Sequence, residues 1–80
     1  MKDEILKAVN FIKAKNGAPH LTKFEDSLRL GEDLGFDSLA MAELTVRLEA
    51  ISGVDIFENG VVKTLGEVKE RLEGGVQSRE

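Results

Sequence analysis

The sequence predicts an all-α domain, a small bundle of three main helices plus one short helix. Apolar residues recur at helical spacing in three separated stretches, glycine and capping signals bound those stretches, and nothing alternates at period two for long enough to make a strand. At 80 residues the chain makes one domain. A chain this short buries only about 60% of the surface its unfolded form exposes, so it holds one small core with little room for a deep active site.

The first helix is expected over residues 3–15. Ile5, Ala8, Val9 and Ile12 share one face, and Lys2, Lys7, Lys13 and Lys15 lie off it. Asp3 and Glu4 near its start and Lys13 and Lys15 near its end suit the helix dipole. Asn16-Gly17 supplies a left-handed C-terminal cap, and Pro19 bars continuation.

Residues 18–37 form a connection longer than the usual range. Leu21, Phe24, Leu28, Leu30, Leu34 and Phe36 are spread through it and read as anchors that pin it to the core, with Gly31 and Gly35 as breakers.

The second helix is expected over 38–51, with Asp37 as N-cap and Gly53 beyond its end. Met41, Leu44, Leu48 and Ile51 give an i, i+3, i+7, i+10 stripe for its inner face. After the Asn59-Gly60 turn signal, a short helical turn is expected around Val61 and Val62. Thr64-Leu65-Gly66-Glu67 has capping-box spacing, and the last helix follows with Leu65, Val68 and Leu72 inward. Gly74-Gly75 is expected to stop it. That makes 1–73 a single domain and 74–80 a flexible C-terminal tail. Ala8, Ala42 and Ala50 are expected to permit close helix approach.

Composition narrows the function classes. Cysteine is absent, so thiolate metal sites and disulfides are excluded, and any thiol chemistry must come from outside the chain. Trp and Tyr are absent, which removes most of the aromatic platforms that stack on nucleic-acid bases. No apolar run approaches the ~20 residues that span a bilayer, and Met1 is followed at once by charges rather than a secretory segment. The expectation is a cytoplasmic protein with no nucleic-acid partner and no membrane insertion.

The net charge of −4 is unevenly spread. Residues 1–24 carry +3, residues 25–58 carry −7 and residues 59–80 are neutral. The acidic middle repels nucleic acid and steers basic partners toward it.

Within that acidic middle, residues 35–39 read GFDSL. Ser38 stands at the first position of the second helix, where first-turn N–H groups lack partners and the dipole is positive. A phosphate ester on its hydroxyl would be well placed there, with Asp37 as a neighbouring like charge. A nucleophile reading lacks partners: His20 is the lone histidine, sits beside Pro19, and reads as a solvent-facing loop residue. Glu32, Asp33 and Asp37 miss the spacing of a calcium loop. Ser27 repeats the D-S-L triplet, but no helical stripe continues from it and it reads as a loop residue.

The run Glu32-Asp33-Leu34-Gly35-Phe36-Asp37-Ser38-Leu39, followed by Glu43-Leu44 and Arg47-Leu48, resembles the [D/E]-x-L-G-x-D-S-L signature of the acyl carrier protein family. The resemblance covers nearly the whole chain in length, first loop and helix order. It implies a free-standing carrier, not an enzyme, whose Ser38 bears 4′-phosphopantetheine as a phosphodiester. The arm's thiol would hold an acyl group as a thioester. It implies that Asp37 and Leu39 are read by a phosphopantetheinyl transferase. Met41, Ala42, Glu43, Val46 and Arg47 would lie along the helix that meets partner enzymes, and Glu49 would add to an acidic strip facing basic docking patches on acyl-loading and synthase enzymes. A monomer is the default for such a shuttling domain.

Ala40 stands where many fatty-acid carriers have an acid, Arg47 puts a positive charge inside the recognition helix, and Ile56-Phe57 replaces the usual proline-containing pair. The signature is closer to carriers of polyketide assembly than to the fatty-acid type. A peptidyl or aminoacyl carrier and an unmodified acidic helical adaptor are the alternatives.

Overall fold

Helix α1 spans Lys2–Lys15, α2 spans Ser38–Ser52 and α3 spans Leu65–Gln77. The computed structural model describes residues 2–58 and 60–77, with the backbone alone for 75–77. α1 and α2 pack on each other. Ile5, Ala8, Val9 and Ile12 from α1 meet Leu44 and Leu48 from α2, and Leu65, Val68 and Leu72 from α3 complete the core. Each fully buried aliphatic side chain contributes about 1.5–3 kcal/mol by leaving water.

The chain punctuates as expected at its helix ends. Gly17 and Gly53 adopt left-handed φ values of 73° and 77°, just past α1 and α2. The capping box at α3 is formed in both directions. Glu67 N donates to Thr64 Oγ1 at 3.2 Å, and Glu67 Oε1 accepts from Thr64 N at 3.2 Å and from Lys63 N at 2.6 Å.

The long connection is pinned in place. Leu30, Leu34 and Phe36 are buried, and Leu21, Phe24 and Leu28 pack against the core partly buried. The Asn10 side chain clamps the loop to α1, with Nδ2 donating to Leu21 O at 3.0 Å and Oδ1 accepting from Leu21 N at 2.7 Å. Two backbone bonds, Leu65 N to Leu28 O (2.9 Å) and Gly66 N to Asp26 O (3.0 Å), give the first amides of α3 partners in the loop. Ser27 sits exposed in that turn, and its hydroxyl makes none of these bonds.

Four expectations are corrected. There is no helical turn at Val61-Val62. That segment runs extended, with Leu30 N donating to Lys63 O at 2.8 Å and an isolated antiparallel bridge between Arg29 and Thr64. Val61 is exposed and Val62 is buried. Three helices therefore stand among the described residues.

The second correction concerns α2. Its buried line is Ala40, Leu44 and Leu48; Met41 is half-buried and Ile51 is exposed. The ridge is i, i+4, i+8, and it turns Ile51 off the core.

Third, Ala42 and Ala50 are exposed, so Ala8 and Ala40 are the small residues at helix contacts. Fourth, α3 continues through Gly74 to Gln77, because a helix-interior glycine costs only about 1 kcal/mol and does not bar helix. The remainder of the expected tail, residues 78–80, lies outside the described residues.

Candidate functional site

Residues 29–36 fold into successive turns that fix the entry to α2. Asp33 N and Leu34 N donate to Arg29 O at 3.0 and 3.1 Å, Gly35 N to Gly31 O at 3.1 Å, and Phe36 N to Leu30 O at 3.0 Å. Within these turns, Asp33 Oδ2 also accepts from Arg29 N at 2.7 Å and from Arg29 Nε at 3.2 Å. The Arg29 side chain and amide together hold the Asp33 carboxyl below its ordinary pKa. Arg29 also pairs with Glu32.

The order L-G-F-D-S-L then has a physical reading. Leu34 and Phe36 turn into the core on either side of Gly35, whose φ of 73° carries the chain through a bend that a β-carbon would strain. Asp37 takes an extended conformation at the N-cap, φ −94° and ψ −172°, and its Oδ1 accepts from Ala40 N at 2.9 Å. Met41 N opens the helical ladder to Asp37 O at 2.9 Å. The Asp37 carboxylate thus bends back into the first turn.

Ser38 follows as the first residue of α2, exposed, and its hydroxyl makes no hydrogen bond among the described residues. Leu39 is 77% exposed beside it.

The remaining α2 residues divide by face. Ala42, Val46 and Glu49 are exposed, while Met41, Glu43 and Arg47 are half-buried. Glu43 accepts from Lys15 Nζ at 2.9 Å and from Arg47 Nε at 3.4 Å. These cations, Lys15 foremost, hold its carboxyl below the ordinary value. The Arg47 guanidinium lies 3.5 Å from the Phe11 ring centre. Glu43 is therefore neutralised in place, and Glu49 is the acid that α2 displays without an ion-pair partner among the described residues.

A recess beside Ser38 is lined by Lys15, Asn16, Gly35, Asp37, Leu39 and Glu43. Lys15 ends α1 and Asn16 follows it. Sequence spacing carries no signal for that meeting, since Lys15 and Glu43 are 28 positions apart.

His20 is exposed and lines a separate groove on α1 with Leu6, Asn10 and Phe11. No Ser38–His20 hydrogen bond occurs among the described residues. No group of three or more His, Asp or Glu side chains gathers to hold a metal ion among them. No described helix is long and apolar enough to cross a membrane.

Comparison with known proteins returned no matching family model, no curated relative and no matching solved structure.

Proposed function

We propose that this chain is a carrier of the acyl carrier type, holding acyl intermediates for fatty-acid or polyketide biosynthetic enzymes. The observation that carries the reading is Ser38: an exposed hydroxyl with no hydrogen bond among the described residues, at the first position of α2, directly after an L-G-F-D run whose members are held by core burial, a left-handed bend and a cap. The residues present fit a covalent 4′-phosphopantetheine on that hydroxyl. When bound, the arm supplies the thiol that a chain without cysteine lacks.

The chain's own residues do three things for such a group. Asp37 ties down the first turn, so that Ser38 is presented in one orientation. Turning that carboxylate back onto Ala40 N also satisfies it locally and lessens its repulsion of a neighbouring phosphodiester. The positive end of α2 favours the anion. Leu39 and Asp37 flank the hydroxyl as features a phosphopantetheinyl transferase reads. Met41, Ala42, Glu43, Val46, Arg47 and Glu49 lie along the helix that partner enzymes with basic docking patches would meet. Tethering raises the local concentration of cargo at a docked enzyme, which suits a cytoplasmic monomer that binds each partner weakly.

Exposed Leu39 and Val46 favour a second reading, an unmodified adaptor that docks through α2 alone. Intact mass separates the two. Incubated with coenzyme A and a broad phosphopantetheinyl transferase, the folded protein is expected to gain one phosphopantetheine, and Ser38→Ala none. Ser27→Ala should load normally. Ser38→Ala should change stability by no more than about ±0.5 kcal/mol, as for an exposed position. No mass gain on a folded sample would favour the adaptor.

A further inference from the structure

Three of the exposed large apolar side chains converge on one place. Phe11 of α1 (46% exposed) and Val46 and Ile51 of α2 (63% and 56%) line a groove between the two helices. Ala8 and Ala50 also line it and keep it open. A cluster of this kind on so small a domain marks a contact surface rather than scatter.

The charges around the groove are lopsided. Lys7 and Arg47 line it, and the carboxylate that lines it, Glu43, is already shared between Lys15 and Arg47. With Lys15 from outside the lining and Glu4 beside Lys7 both counted, three cations stand against two acids. The neighbouring groove shares Lys7 and Phe11, and its titratable residues besides Lys7 are Asp3 and His20. The groove is thus an apolar surface of slight positive charge on a chain whose net charge is −4, with Lys7, Ala8 and Phe11 from the basic first third and the rest of its lining from α2.

We propose that the α1–α2 groove around Phe11 docks an acidic amphipathic helix of a partner protein. Apolar side chains of that helix enter between Phe11, Val46 and Ile51, and its carboxylates meet Lys7 and Arg47. The Arg47 guanidinium is held over the Phe11 ring and by Glu43, so meeting a partner carboxylate needs little further ordering of it. Charge complementarity of this sort sets partner choice and on-rate more than raw affinity. The groove does not include Ser38, but it shares Glu43, Val46 and Arg47 with the stretch of α2 proposed to meet basic partners, so an acidic helix seated in it competes with them.

The test uses two synthetic amphipathic helical peptides with the same leucine face, one flanked by glutamates and one by lysines, each with a single tryptophan. The protein has no Trp or Tyr, so that fluorescence reports the peptide alone. The glutamate peptide is expected to bind about tenfold more tightly, with the preference shrinking at roughly 0.5 M salt, where the Debye length is about 4 Å. Amide shifts should centre on residues 7–11 and 46–51. Lys7→Glu, an exposed change that leaves the helices intact by circular dichroism, should abolish the preference, and Phe11→Ala should weaken both peptides.

Equal binding of the two peptides, a preference for lysine, no binding of either, or shifts centred on Leu39 and Val61 would overturn the proposal. Binding to anionic lipid vesicles without any peptide preference would assign the groove to a membrane surface and overturn it as well.

Discussion

The Asp37 carboxylate and the Ala40 amide are joined by a 2.9 Å hydrogen bond, and that bond decides how Ser38 is shown to solvent. Without it the first turn of α2 has one more unpartnered amide and a looser start. Asp37→Ala is expected to cost about 1 kcal/mol in a urea titration, with Asp37→Asn recovering most of the loss. Ser38→Ala beside it should cost almost nothing. The contrast separates a cap from a displayed hydroxyl.

Gly66 meets the backbone of the long loop at close range. A β-carbon there would stand 3.0 Å from Asp26 Cβ and 3.1 Å from Asp26 O, while Gly66 N already donates to that same oxygen. Asp26 O belongs to the main chain and Asp26 Cβ is attached directly to it, so neither can swing aside. Gly66→Ala should therefore destabilise by about 1–3 kcal/mol, although alanine is the better helix former. A thermal melt of the variant checks it; a rise in stability would show that the loop yields.

Leu44 and Leu48 are almost fully buried, whereas Ile51 is more than half exposed. Truncation of Leu44 or Leu48 to alanine should cost roughly 2–5 kcal/mol. Ile51→Ala should stay within about ±0.5 kcal/mol. Denaturant midpoints of the three variants give the ordering directly.

Glu67 accepts from two backbone amides, Lys63 N and Thr64 N, and these hold its carboxyl below the ordinary value. The unfolded chain lacks those donors and binds the proton more readily. Stability from this group is thus complete above the usual carboxylate range, near about 4.3. It drains away as pH falls through the lowered folded value. Glu67→Gln should give a shallower loss of stability on acidification, measured by denaturation at a series of pH values. An unchanged slope would mean that other carboxylates, Asp33 and Glu43 among them, carry the acid sensitivity.

Much of the bundle was legible along the chain because its signals are local. Helix ends are written in Asn16-Gly17, Asp37, Gly53 and the Thr64–Glu67 box, where a residue and its partner lie within four positions. The inner faces of α1 and α3 were legible because their apolar residues keep helical spacing, although α1 also exposes Phe11 and buries Lys13, which spacing placed off the core. α2 lacks a single such spacing. Leu39, Ala40, Met41, Ala42, Leu44, Val46, Leu48, Ala50 and Ile51 surround it with apolar positions, and periodicity cannot say which ridge turns inward.

The sequence by itself determined the three helices, the end of α1, both caps of α2 and the start of α3, the anchors in the long loop, and Ser38 as the residue at the start of α2. Tertiary structure alone decided that Ala40 rather than Ile51 is buried, that Lys15 and Arg47 neutralise Glu43, and that Lys63 and Thr64 pair with the loop instead of coiling. The division follows from range. Backbone caps are satisfied by near neighbours in the chain, whereas the choice among equivalent apolar faces and the pairing of charges 28 positions apart depend on which surfaces the folded chain brings together.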